Sequence, residues 1–90
     1  MAELTEITTA SGFRCSVEED ALDDMELLEN LISLDKGDAA ALPDLLLQLL
    51  GASGKKALYD HVRTAHGRVP AGAVMTELGE ILEALKTRKK

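Results

Sequence analysis

Tryptophan is absent from this 90-residue chain, and Phe13 and Tyr59 are its only aromatic residues. A core has therefore to come from Leu, Ile, Val, Met and Ala, a palette that favours packed helices. Cys15 is the only cysteine, which excludes an internal disulfide and fits a reducing compartment. No apolar run approaches the roughly 18 residues of a membrane span. The N-terminus, MAELTEITTASGF, has early acids where a secretory signal would carry bases and then an apolar stretch. Bases are scarce too: ten Lys and Arg against sixteen Asp and Glu give a net charge of -6, the wrong sign for gripping a phosphate backbone. These absences exclude nucleic-acid and membrane partners and leave a small cytoplasmic protein as the expectation.

The charge that is present is unevenly spread. Residues 1–50 hold twelve acids against Arg14 and Lys36, whereas residues 51–90 hold four acids against eight bases. Such a dipolar chain can pair its halves internally or stack on other copies. Its length makes one domain, 1–90, with so little buried surface that stability from a partner is a natural expectation.

Periodicity divides the domain into a hairpin and a helical part. Leu4 and Ile7 precede a polar stretch ending in Gly12, and Phe13-Arg14-Cys15-Ser16-Val17 alternates as a half-buried strand does, so a β-hairpin is expected over 3–17. From 18 to 88 the pattern is helical. Met25, Leu27, Leu28, Leu31, Ile32 and Leu34 share one side of a helix over roughly 22–34, capped by Ser16, Asp20 or Asp23 and stopped by Asp35-Lys36-Gly37-Asp38. A short second helix should run to 50 behind Pro43 and end at Gly51. Ser53 can cap a third over 54–66, with Leu58, Tyr59, Val62 and Ala65 inward and Gly67 as its stop. A fourth begins at Val69-Pro70, with Val74, Met75, Leu78, Ile81, Leu82 and Leu85 inward and Thr76, Glu80 and Glu83 outward, running into a frayed basic tail over 86–90. The fold class predicted is mostly α: about four packed helices with an N-terminal β-hairpin, a small α+β domain.

One stretch carries more leucine than its position needs. In Ala41-Leu42-Pro43-Asp44-Leu45-Leu46-Leu47-Gln48-Leu49-Leu50-Gly51, a helical wheel places five leucines within about 140° and Leu47 about 60° beyond their edge. Leu42, Leu45, Leu46 and Leu49 belong in a core. Leu47, with Leu50 at the adjoining edge, is the candidate protein-binding surface.

Catalytic, cofactor and metal signals are weak by comparison. Cys15 with His61 or His66 could form a nucleophile and base, but a small apolar residue on a strand is more often core. His61 and His66 stand five apart, where a shared helical face for a metal asks for three or four. Gly51-Ala52-Ser53-Gly54-Lys55-Lys56 misses a phosphate loop twice, with Leu49 where the first glycine belongs and Lys56 where Ser or Thr belongs. The acids Glu18, Glu19, Asp20, Asp23 and Asp24 lack the spacing of a calcium loop and suit a helix start.

The order of the pieces carries a resemblance. Ser11-Gly12-Phe13 in the hairpin leads to Ala21-Leu22-Asp23-Asp24-Met25-Glu26-Leu27-Leu28, then Asp35-Lys36-Gly37-Asp38, then Leu42-Pro43 with leucines to Leu50-Gly51. Ala57-Leu58, His61-Val62-Arg63 and Gly67-Arg68-Val69-Pro70 follow. Over roughly residues 10–82 the chain resembles the small tail assembly chaperones encoded by long-tailed bacteriophages and prophages. The resemblance implies a protein without enzymatic activity or cofactor that coats the hydrophobic, helical tape-measure protein and keeps it soluble in the host cytoplasm until tail-tube subunits polymerise around it. It also implies self-association and a frameshifted longer form that recruits tail-tube protein; the codons of Lys89-Lys90 are compatible with a slippery A-rich pair. The alternative is a helical adaptor or oligomeric scaffold with another protein client.

Overall fold

A computed structural model describes residues 3–88. It begins with an antiparallel hairpin of β1 (Leu4–Thr8) and β2 (Arg14–Glu18), registered with Thr5 opposite Val17 and Ile7 opposite Cys15. The two-residue period sends Thr5, Ile7 and Val17 into the interior, which leaves Leu4 on the solvent side at 65% exposure. Gly12 closes the turn at φ 95°, a conformation that L side chains rarely adopt, and its amide donates to the Thr9 carbonyl at 2.9 Å.

A single 3-10 turn, Ala21–Asp23, separates the hairpin from α1 (Met25–Asp35). The 3-10 turn occupies the expected first residues of the helix, and Asp24 is the actual cap, its carboxylate accepting from the Glu26 amide at 3.0 Å. The other end closes as expected: Gly37, at φ 100°, donates to the Leu34 carbonyl while Asp38 donates to that of Ser33, a paired Gly stop. Two further helices follow, α2 (Ala41–Val62) and α3 (Ala71–Arg88). Lys86, Thr87 and Arg88 continue α3, whereas Lys89 and Lys90 lie outside the described residues.

Among the described residues the helix count is three, not about four. The two segments expected on either side of Gly51 are joined without a loop: Gly51 breaks the helical path at φ 77°, ψ 172°, and helix resumes directly after it. Gly54 makes the break possible from the other side, because a Cβ there would stand 2.8 Å from that of Leu50. Ser53 accordingly lies inside α2 rather than ahead of a separate helix. The second half of α2 also stops at Val62, four residues before the expected end. Arg63 turns extended, and Thr64 organises a local turn, its carbonyl accepting from Gly67 at 2.9 Å and its hydroxyl from the Arg68 amide at 3.2 Å; this competes with further helix. Ala65 is therefore exposed in a loop.

Leu45, Leu46, Leu49 and Leu58 of α2 meet Val74, Leu78, Ile81 and Leu85 of α3, Leu27 of α1, and Ile7, Phe13 and Val17 of the hairpin. Leu42, Leu31, Leu34 and Leu82 are half-buried around them. The wheel overstates the inward faces of α1 and α3: Met25, Ile32 and Met75 are 64%, 51% and 44% exposed. The reason is that α1 packs chiefly on α2, so an apolar arc as wide as half the helix has more surface than its one neighbour covers.

Candidate protein-binding surface

Leu47 leaves the core. It is 46% exposed between Leu46 and Leu49, both buried, while Leu50 is half-buried at the adjoining edge. The helical wheel already sets Leu47 outside the buried arc, whereas the hollow it lines depends on the path of the chain beyond Gly51. Leu47 lines a hollow of about 260 Å³ together with Ala52, Lys55, Lys56, Tyr59 and Arg63. On an unbroken helix, twelve residues of separation would turn Tyr59 about 120° away from Leu47. The break at Gly51 is what brings both to one groove.

The rim of the groove is cationic. Lys55 Nζ lies 5.7 Å from the centre of the Tyr59 ring, a cation–π contact that holds the ammonium over the aromatic face. Asp60 is bonded by Lys56 at 3.3 Å and by Arg63 at 3.2 Å, one and almost one turn away. The hydrogen bond from Lys56, then that from Arg63, holds the Asp60 carboxyl below its ordinary range. Asp60 thus stays ionised into acid, and its exposed pairs orient the rim more than they stabilise the fold.

A second cluster joins the hairpin tip to the helices. The Ser11 hydroxyl donates to Glu77 Oε2 at 2.7 Å and lies 2.9 Å from His61 Nε2, which donates to it in the Nε2-protonated tautomer. The Ala10 amide donates to Glu80 at 2.7 Å, and the Phe13 ring sits 5.4 Å from that of His61. Glu80, which the helical wheel turns outward, receives this amide at the edge of α3. Glu77 is 5% exposed, and its Oε1 has no hydrogen-bond partner among the described residues. On the wheel Glu77 falls about 40° from Ile81, and that position was the signal for a buried carboxylate.

Serine, histidine and carboxylate are together here, yet their order is that of a latch. A nucleophilic serine passes its proton to a histidine that the carboxylate holds from behind. Here both groups converge on the hydroxyl, and the proton points to Glu77. Cys15 is half-buried opposite Ile7; burial, then the charge of Glu77, pushes its thiol up, the opposite of what a thiolate nucleophile needs. His66 lies elsewhere, in the 63–70 loop against Thr64, Arg68, Val69 and Pro70. We expect Cys15 in the folded chain at pH 8 to be alkylated about tenfold more slowly than in denaturant, with rates measured by mass spectrometry. Because folding raises this pKa, the stability it contributes is complete below the ordinary thiol range and is lost as the pH rises through the raised value.

Among the described residues no three His, Cys, Asp or Glu side chains are grouped to hold a metal ion, and no helix is long and apolar enough to cross a membrane. No protein-family model matches the chain, and comparison with characterised proteins and with solved structures likewise finds no match.

Proposed function

We propose that the chain is a non-enzymatic phage tail assembly chaperone that binds the hydrophobic, helical tape-measure protein and keeps it soluble in the bacterial cytoplasm during tail assembly. The observation that carries this reading is the Leu47 groove, whose apolar floor and Tyr59 wall suit one ridge of a client helix, the mode in which an amphipathic helix lays its apolar side into a groove. The motif order from Ser11-Gly12-Phe13 to Gly67-Arg68-Val69-Pro70 supplies the choice of client. A groove of this size grips one or two side chains, so many copies along one long helix would share the work. In the longer form, residues added beyond Lys90 would bring tail-tube protein to the coated client.

Co-expression with a long, helical phage tape-measure protein, the client the proposal names, tests it. The client should move to the soluble fraction and co-purify, and Leu47→Asp should abolish both while circular dichroism stays helical, because an exposed side chain is replaced by an exposed charge. A client that stays insoluble with the native chain, or one rescued equally by Leu47→Asp, overturns it.

A further inference from the structure

Helices α1 and α3 both pack on α2 and hardly on each other, so an apolar cleft opens between them. Leu31 and Leu34 form one wall and Met75 and Leu82 the other, around a hollow of about 260 Å³. Met75 is exposed at its mouth, and an unbranched thioether adapts well to an incoming surface. Two further features of the cleft serve nothing within the chain. Gly79 lines it from the middle of α3, where glycine weakens a helix, yet a Cβ there would meet no atom within 4 Å. The fold does not use that space, whereas a backbone approaching from outside would. Among the described residues, Asp35 is the only charged group lining the cleft. It stands in the last turn of α1, the wrong end of the helix dipole for an acid, and no ion pair among the described residues neutralises it. Lys36, at the cap position just beyond, does not line the cleft.

We propose that the cleft between α1 and α3 receives a basic amphipathic helix of a protein partner. An apolar ridge of that helix lies between the leucine wall and Met75, its backbone passes close over Gly79, and a Lys or Arg flanking the ridge pairs with Asp35. The charge preference is opposite to that of the Leu47 groove, whose rim carries Lys55, Lys56 and Arg63. One small chain thereby offers two helix-binding surfaces that sort their ligands by sign. A hollow this small gives a weak complex, and its single ion pair makes the affinity fall with salt. The cleft shares no residue with the Leu47 groove, so neither proposal rests on the other.

Methyl-labelled methionine gives a direct readout, because Met75 lines the cleft while Met25 stands beside the acids that precede α1. The probe is a synthetic helical peptide of about 20 residues, with leucines along one side and lysines flanking them, compared with the same peptide carrying glutamates in place of the lysines. In NMR titrations of the full chain, the lysine peptide should shift the Met75 methyl while that of Met25 stays in place, and should bind about tenfold more tightly than the glutamate peptide. Gly79→Leu fills the cleft from an exposed helical position; it should weaken binding about tenfold or more without lowering the thermal midpoint, since leucine favours helix over glycine. Asp35→Lys should reverse the preference between the two peptides. Leu47→Asp should leave the Met75 response unchanged, which separates this cleft from the surface assigned to the client. A Met75 signal that does not move, one that moves no more than that of Met25, equal affinity for the two peptides, or a Gly79→Leu chain that binds as the native one does would each overturn the inference.

Discussion

Leu46→Ala should remove a large share of the stability of the chain. Leu46 is fully buried among the leucines of α2 and the packed residues of α3, and truncating such a side chain costs about 2–5 kcal/mol in lost transfer energy and cavity formation. A chain of 90 residues has on the order of 5–13 kcal/mol in total, and its small core has little to redistribute. Thermal unfolding followed at 222 nm should show a midpoint lower by about 10 °C or more. The neighbour makes the control: Leu47→Ala, one residue along, should leave the midpoint within a few degrees because its side chain is already 46% in water. Equal losses at both positions would mean that Leu47 is part of the core after all.

The second large effect is expected at Gly51. Its φ of 77° with ψ of 172° lies in a region that only glycine occupies readily, so Gly51→Ala costs about 1–3 kcal/mol if the break is kept. No neighbouring atom would obstruct the new methyl group, which isolates backbone conformation as the cause. If the strain is relieved by straightening α2, Tyr59 swings away from Leu47 and the groove is lost. The first route predicts a lower midpoint with the groove intact and the second predicts loss of client binding, whereas Ala52→Gly, beside it, should lower stability modestly and keep the groove. A Gly51→Ala protein as stable as the native one and still active in client rescue would refute the link between the break and the groove.

Much of the fold was legible because it rests on local rules. The hairpin followed from alternation in Phe13-Arg14-Cys15-Ser16-Val17, the end of α1 from Gly37, and the inward faces of α2 and α3 from the spacing of Leu45, Leu46, Leu49, Leu58, Val74, Leu78, Ile81 and Leu85. What escaped depends on neighbours. Gly51 reads as a stop, yet Gly54 gives Leu50 room and lets helix continue on the far side. Gly67 reads as another stop, but the turn held by Thr64 and Arg63 ends the helix earlier. The candidate surface was half legible: Leu47 stood out by its angle, while Lys55, Tyr59 and Arg63 joined it only through the break. The latch of Ser11, His61 and Glu77 spans 50 to 66 residues of sequence, beyond any local pattern.

That separation also sets an order of events during synthesis. The hairpin precedes part of its seat: Ala10 and Ser11 are held by Glu80 and Glu77 of α3, and Phe13 and Val17 share a core with Ile81 and Leu85 as well as with α2. A two-stranded hairpin is marginal on its own, so while the ribosome is still adding α3 it has only α2 to rest on, through β2. The nascent chain would thus carry its acidic first half ahead of a completed core, and those carboxylates keep the unfinished protein apart from its neighbours until the last helix arrives.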